Sequence, residues 1–123
     1  MGKLKNISTP PLLLALDSIQ DPHNLGAIIR SAVAAGVNGL ILPKDRSAPI
    51  TGTVIKVSAG AVFHLDICRV TNLVNSFKVL KKEGIRVVAA VSVVDREEGA
   101  KEALARYKCP LISLFTKSDF LKV

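Results

Sequence analysis

Tryptophan is absent from this sequence, and other aromatic residues are few, with one tyrosine and four phenylalanines in 123 residues. Because bases stack on aromatic rings, any contact with a nucleic acid is expected mainly at phosphate and ribose. The two cysteines, Cys68 and Cys109, show no CxxC or histidine-rich spacing. This excludes a disulfide framework and the common zinc motifs, so we expect no metal site and two buried, reduced thiols.

Long hydrophobic runs are also missing, since no apolar segment approaches the length of a membrane span. The segment Met1–Asn6 is basic, but no apolar region follows it. These absences predict a cytoplasmic protein without a membrane partner. What the chain does have is positive charge, with 17 Lys and Arg against 10 Asp and Glu. The net charge of +7 favours an anionic partner such as RNA, against the alternative that lysines only make the surface soluble.

Apolar runs alternate with amphipathic segments along the whole chain. The predicted strands are Leu12–Leu16, Gly39–Leu42, Val62–Cys68, Ile85–Val94 and Pro110–Phe115. The predicted helices are 24–35, 51–58, 72–82 and 95–107. This order predicts one α/β domain over residues 1–123: a three-layer, five-stranded, mostly parallel sheet of Rossmann-like or flavodoxin-like type, without a knot.

The first strand and helix, with the polar loop between them, contain the most informative residues. At 100° per residue the helix has an apolar face that includes Leu25 and Ile29, while Arg30 lies on the opposite face. The loop at the end of the first strand contains Asp21, His23 and Asn24, where open α/β sheets bind ligands. Alternatively, these are ordinary turn, helix-capping and surface residues.

Two motifs carry a resemblance to a known family. They are DPHNLGAIIRSAVAAGVNGLIL, which begins at Asp21, and KVSAGAVFHLDI at 56–67. In this order and spacing they resemble the first two signatures of the SpoU/TrmH branch of the SPOUT RNA methyltransferases. The resemblance runs from about Pro11 into the eighties and is greatest to members that methylate the ribose 2′-oxygen of ribosomal RNA.

That resemblance implies catalytic positions at Asn24 and Arg30, where a guanidinium could hold a phosphate and favour a developing alkoxide. The alternatives are a helix N-cap for Asn24 and a solvated helix residue for Arg30. The second motif contributes Ser58, Ala59 and Gly60, whose small size allows close backbone approach or, alternatively, forms a helix C-cap.

Three cations are candidates for contact with RNA phosphate. They are Lys44, Arg46 and Lys56. Their alternative reading is a set of solvated surface charges.

The third SpoU signature, which in that family builds the trefoil knot and most of the S-adenosylmethionine pocket, is missing after Val91. Residues 91–123 contain VVDREEGAKEAL and LISLFTKSDFL, which resemble the carboxyl end of orotate phosphoribosyltransferases. We therefore predict a chimera of a methyltransferase-like part (1–90) and a phosphoribosyltransferase-like part (91–123), joined between Thr71 and Val91. The abrupt change favours an engineered fusion over a natural one.

A chimera lacking the third signature is expected to bind no S-adenosylmethionine, the cofactor of the parent family, and to have no catalytic activity. RNA binding is expected to be weak and non-specific, and the resemblance is compatible with a homodimer. The alternative is an S-adenosylmethionine-dependent rRNA or tRNA ribose 2′-O-methyltransferase, or an RNA-binding module that retains part of that site.

Overall fold

In the computed structural model, residues 9–121 are described, and the chain divides into two compact units. Unit 1 is Met1–Ser76 and unit 2 is Phe77–Val123. The boundary falls inside helix α3, Leu73–Lys82. Among the described residues, no helix has the length and apolar character needed to cross a membrane.

Unit 1 is built from three parallel strands and their connecting helices. Its elements are β1 (Leu13–Ala15), α1 (Pro22–Ala34), β2 (Gly39–Pro43), α2 (Gly52–Val57), a 3-10 helix (Ala61–His64) and β3 (Asp66–Val70). The strand order is β1-β2-β3, so β2 is central. Four of the five residues of β2 are buried, as expected of an apolar strand with a neighbour on each side.

The core of unit 1 is formed by side chains of α1, β2, α2, the 3-10 helix and two connecting segments. Its buried members are Leu25, Ile29, Ala32, Leu40, Leu42, Ala48, Val54, Val62 and Leu65. Three of them come from the predicted apolar face of α1, and Arg30 is exposed on the other side. The helix faces read from the sequence are therefore confirmed.

Unit 2 contains the carboxyl-terminal part of α3 and four further elements. These are β4 (Ala90–Asp95), α4 (Ala100–Ala105), β5 (Leu111–Thr116) and α5 (Lys117–Phe120). Strands β4 and β5 pair in parallel, with Val91 opposite Ile112. Among its described residues only Cys109 is buried.

The predicted α/β class with parallel strands is confirmed, but the strands of the described residues form two sheets, of three and two strands, instead of one sheet of five. An apolar run predicts that a strand forms, whereas its partner is set by main-chain hydrogen bonds that the pattern does not encode. Strand β4 also begins at Ala90, five residues later than predicted.

Four local predictions are corrected by the structure. Strand β3 starts at Asp66, not Val62, because Gly60 adopts a left-handed conformation (φ 78°) and leads into the 3-10 helix. Cys68 is exposed, since β3 is an edge strand of its sheet. Strand β1 is half-buried, not fully buried, because it too is an edge strand. Helix α4 covers only Ala100–Ala105 of the helix predicted over 95–107.

Candidate nucleic-acid interface

The loop that follows β1 ends in a capped helix start. The Asp21 side chain accepts a hydrogen bond from the His23 backbone N–H at 3.0 Å, and Pro22 occupies the first turn of α1. Asp21 is therefore the N-cap, and the alternative N-cap reading of Asn24 is wrong. Asn24 and His23 are exposed in the first helical turn, so their side chains are available to a ligand.

Asn24 and Arg30 lie on the same helix but not on one stripe. Six residues of α-helix separate them by about 9 Å along the axis and about 120° around it. Both are exposed. They are therefore suited to contact different parts of an extended ligand, with Arg30 further from the helix start.

Gly26 joins α1 closely to α2 and was not singled out from the sequence. It is buried, and a Cβ placed on it would lie 2.8 Å from Cβ of Val57 and 3.2 Å from the backbone nitrogen of Ser58. No real side chain tolerates the shorter distance, so only glycine permits this approach. The available signal was a glycine inside an apolar helical pattern, which indicates close packing.

The second motif forms the turn at the end of α2. Ser58 is fully buried, and its Oγ donates a hydrogen bond to the Ile55 carbonyl at 3.1 Å. Ala59 and Gly60 have left-handed conformations, with φ of 52° and 78°. The C-cap reading of these residues is thus what the geometry shows. A Cβ on Gly60 would meet no atom within 4 Å, so its backbone conformation, not a close contact in this chain, is what favours glycine.

The loop after β2 carries Lys44 and Arg46, both of which are exposed. It is tied to the loop before α1, since the Ala48 N–H donates to the Ile19 carbonyl at 2.8 Å. The structure thus connects this basic loop, Pro43–Ala48, with the segment that leads to Asn24. Lys56 is exposed in the last turn of α2, where a cation interacts favourably with the helix dipole.

Sequence reasoning missed Arg69 on β3. Its guanidinium donates hydrogen bonds to the carbonyls of Pro43, Lys44 and Ala48 at 3.2, 3.0 and 3.3 Å. It therefore fastens both ends of the basic loop to β3. A single arginine in a short strand gave no sequence signal for this role, because the contacts join residues more than 20 positions apart.

Two of the concave regions formed by the described residues bear on ligand binding. One, of about 410 Å³, is a shallow apolar groove between α1 and β1, lined by residues that include Leu14, Ile28 and Val37. The other, of about 250 Å³, lies in unit 2 and is lined mainly by polar and acidic residues, among them Asp95 and Glu102. Within residues 9–121, no group of three or more His, Cys, Asp or Glu side chains could hold a metal ion.

Residues 11–114 match the model of the SpoU rRNA Methylase family. An uncharacterized tRNA/rRNA methyltransferase of Synechocystis is 50% identical over 92 residues, which is 75% of this chain and 24% of that protein. A 23S rRNA (guanosine-2′-O-)-methyltransferase of Vibrio vulnificus is 54% identical over 78 residues, 63% of this chain and 32% of that protein. The chain thus spans about a quarter of the first of these relatives and about a third of the second.

Solved structures of methyltransferases are also similar to this chain. The AdoMet-bound rRNA methyltransferase of Sinorhizobium meliloti superposes with a TM-score of 0.64 at 26% identity, over 89% of this chain and 50% of the other. The SpoU methyltransferase AviRb of Streptomyces viridochromogenes has a TM-score of 0.62 over 95% of this chain and 47% of its own, and at 22% identity it supports the fold alone. The family match extends across the predicted junction at 71–91, and none of these relatives is a phosphoribosyltransferase.

Proposed function

The chain belongs to the SpoU rRNA methylase family, and on that premise we propose that it is the RNA-facing part of a ribose 2′-O-methyltransferase. The observation that carries the proposal is the family match over residues 11–114, together with a relative of 54% identity named for 2′-O-methylation of guanosine in 23S rRNA. We propose ribosomal RNA as the substrate class. Such a role would place the protein in the bacterial cytoplasm.

In this proposal the exposed residues of α1 and the basic loop contact the RNA backbone. Arg30 binds a phosphate beside the target ribose and stabilises negative charge on its 2′-oxygen, since a guanidinium can bind oxyanions through two parallel hydrogen bonds. Asn24 orients the ribose through its amide. Lys44, Arg46 and Lys56 contact further phosphates, which hold the strand in register without reading its sequence.

S-adenosylmethionine supplies the methyl group in this class of reaction. Neither of the two cavities described above fits it well: the unit 2 cavity of about 250 Å³ is below the roughly 300–1,000 Å³ usual for small-molecule sites, and the apolar groove on α1 is shallow. The chain also spans only part of its relatives. We therefore propose that this chain contributes RNA recognition and does not by itself transfer a methyl group.

The chimera hypothesis has one observation in its favour, since the boundary between the units, Ser76 to Phe77, falls inside the predicted junction at 71–91. Against it, the family match continues to residue 114, through most of the segment assigned to a phosphoribosyltransferase. The RNA methyltransferase alternative is therefore the better supported reading.

The test is binding of a short single-stranded RNA, followed by fluorescence anisotropy at several salt concentrations. We expect saturable binding that weakens with salt, and Arg30→Gln should lower the slope of log affinity against log salt by about 0.7, the value for one phosphate contact. The matched control is Arg106→Gln, which removes an exposed arginine at the end of α4 in unit 2. It should leave the slope close to that of the native chain.

Two outcomes would count against the proposal. Absence of RNA binding at low salt would remove it altogether, and equal slopes for the Arg30 and Arg106 variants would reduce it to non-specific attraction by net charge. Transfer of a labelled methyl group from S-adenosylmethionine to RNA by this chain alone would contradict the proposal that it does not by itself transfer a methyl group. The mass of the chain in solution, measured by light scattering, decides whether it acts as a homodimer.

A further inference from the structure

We infer that Arg69 is a positioning residue that holds the basic loop, Pro43–Ala48, in the conformation that presents Lys44 and Arg46 to the RNA backbone. The inference rests on the proposed function, because it assigns a phosphate-binding role to this loop. It concerns a residue that makes no contact with RNA itself. Arg69 acts through the loop that it fastens.

The hydrogen bonds of Arg69 span the whole loop. Its Nη2 donates to the Pro43 and Lys44 carbonyls where the loop begins, and its Nη1 donates to the Ala48 carbonyl where the loop ends. The guanidinium is a rigid planar fork, so the spacing of its two amino groups sets the spacing of the carbonyls. One side chain therefore fixes the distance between the two ends of the loop.

The loop needs such support because its own conformation is unfavourable. Arg46 has a left-handed backbone, with φ of 55°, which residues with a side chain adopt only at an energetic cost. The Ser47 Oγ is buried and has no hydrogen-bond partner among residues 9–121. A left-handed backbone persists only where surrounding contacts over-determine it, and the three bonds from Arg69 are such contacts.

Two further main-chain bonds show which parts of the chain the loop aligns. The Lys44 N–H donates to the Val70 carbonyl, and the Ala48 N–H donates to the Ile19 carbonyl, both at 2.8 Å. The loop is thus attached on one side to β3 and on the other to the segment that leads into α1. A fixed loop keeps Lys44 and Arg46 at a constant offset from the helix that carries Arg30.

The chemistry of the loop fits a polyanion in extended form. Lys44 and Arg46 are exposed and separated by the exposed carboxylate of Asp45. The three side chains together have a net charge of +1. The loop therefore attracts phosphates only weakly if Asp45 pairs with Lys44 or Arg46, and more strongly if the two cations are held apart from it. Fixing them before binding reduces the ordering entropy lost when RNA binds, which is how preorganisation raises affinity.

The experiment is a double-mutant cycle on RNA affinity in the full chain. The variants are Lys44→Gln/Arg46→Gln, Arg69→Gln and the triple combination, each titrated against a short single-stranded RNA over a range of salt. Losing the two phosphate contacts should weaken binding about tenfold and lower the salt slope by about 1.4. Arg69→Gln alone should approach the same values, and adding it to the double variant should change neither.

Arg69→Lys separates geometry from charge, and Arg106→Gln is the control for loss of one exposed positive charge. A lysine keeps the charge, but its single ammonium nitrogen cannot take the place of two separated amino groups. We therefore expect Arg69→Lys to bind RNA nearly as weakly as Arg69→Gln. It also carries the test if Arg69→Gln does not fold, which circular dichroism would reveal.

Each outcome separates this inference from the function on which it rests. If the native chain binds no RNA, the proposed function fails. If the native chain binds RNA while Arg69→Lys binds equally well, Arg69 contributes only charge and the inference is overturned. Additive weakening in the triple variant would also overturn it, because Arg69 would then act independently of Lys44 and Arg46.

Discussion

The two units contain similar kinds of apolar segments but bury them to very different degrees. In unit 1, Leu42 and Ile29 are completely buried, whereas in unit 2 Val91 is 72% exposed and Leu114 is 65% exposed. Unit 1 places a thirteen-residue helix over a three-stranded sheet, while unit 2 has a two-stranded sheet and a six-residue helix, α4. A two-stranded sheet is marginal by itself, so apolar composition alone does not make a core.

The same contrast applies to function. All the residues proposed to contact RNA lie in unit 1, on or beside the elements with the most complete burial. Sites on well-packed elements hold their side chains more accurately than sites on loosely packed ones. Unit 1, which contains the family motifs, is therefore also the unit with the packed core that can hold the motif side chains in position.

The largest expected effect is on the core of unit 1. Leu42→Ala removes a fully buried side chain from the central strand and should lower the free energy of unfolding by about 2–5 kcal/mol. Leu114→Ala, the matched change on β5, should lower it by no more than about 0.5 kcal/mol, as at other surface positions. Urea unfolding followed by circular dichroism measures both. Equal losses would mean that Leu114 is covered in solution and that the contrast between the units is false.

The next effect concerns the contact between α1 and α2. Gly26→Ala places a methyl group 2.8 Å from Cβ of Val57, and this overpacking should destabilise the chain by about 1–3 kcal/mol. Val57→Ala combined with it should recover part of the loss, because Val57 Cγ1, at 2.9 Å, is then removed.

Gly52 provides the control for Gly26. A Cβ on Gly52 meets no atom of the described residues within 4 Å, so Gly52→Ala should be neutral or stabilising by up to about 1 kcal/mol. Thermal unfolding of these three variants and the native chain tests this order. If Gly26→Ala were tolerated as well as Gly52→Ala, the close packing of α1 on α2 would not hold in solution.

A smaller effect is expected at the start of α1. Asp21→Ala removes the bond to the His23 N–H and should cost about 1 kcal/mol, the usual loss for a helix N-cap. Asp21→Ser retains an acceptor and should recover most of the stability. Asp21→Ala should also alter RNA binding more than Asp21→Ser does, since Asn24 lies in the first turn that the cap orders. A stability unchanged by Asp21→Ala would show that the cap does not form.

The smallest effect is in unit 2, at the cap of α5. Hydrogen bonds from the Thr116 backbone N–H and, secondarily, its hydroxyl lower the pKa of Asp119 below its ordinary value of 3.8, although the carboxyl is exposed. A lowered pKa means that this contribution to stability is present above pH 3.8 and is lost as the pH falls through the folded-state pKa.

Carbon-detected NMR titration of the Asp119 carboxyl measures this pKa. Thr116→Val removes the hydroxyl bond and should raise the pKa only partly toward 3.8, because the backbone bond, the larger cause, remains. An identical titration in both forms would show that the hydroxyl contributes nothing.

The sequence was sufficient to predict the fold class, most element positions and the two faces of α1. Period 3.6 in the apolar residues of 22–34 gave Leu25 and Ile29 as core, and the structure agrees. The motif residues were found because the family pattern is local in the chain. The sequence alone therefore identifies Asn24, Arg30 and Ser58 as candidate site residues.

What the sequence could not provide was any feature that depends on distant partners. The pairing of β4 with β5 alone, the close approach of Gly26 to Val57 and the bonds from Arg69 to the basic loop each join segments 20 or more residues apart. The pattern of apolar residues indicates which side chains prefer burial, but not which segments pack against them. For this reason the apolar run at Ile85–Val94 predicted a strand but did not indicate that the valines of β4 are exposed.

Cys68 and Cys109 differ in one property with a practical consequence, since the first is exposed and the second is buried. Successive side chains of a strand point to opposite faces, so Cys68 projects away from the side on which Arg69 holds the loop. A maleimide dye would thus couple selectively at a native position without covering that loop. The native chain therefore offers one accessible thiol to which a fluorescent reporter of ligand binding can be attached.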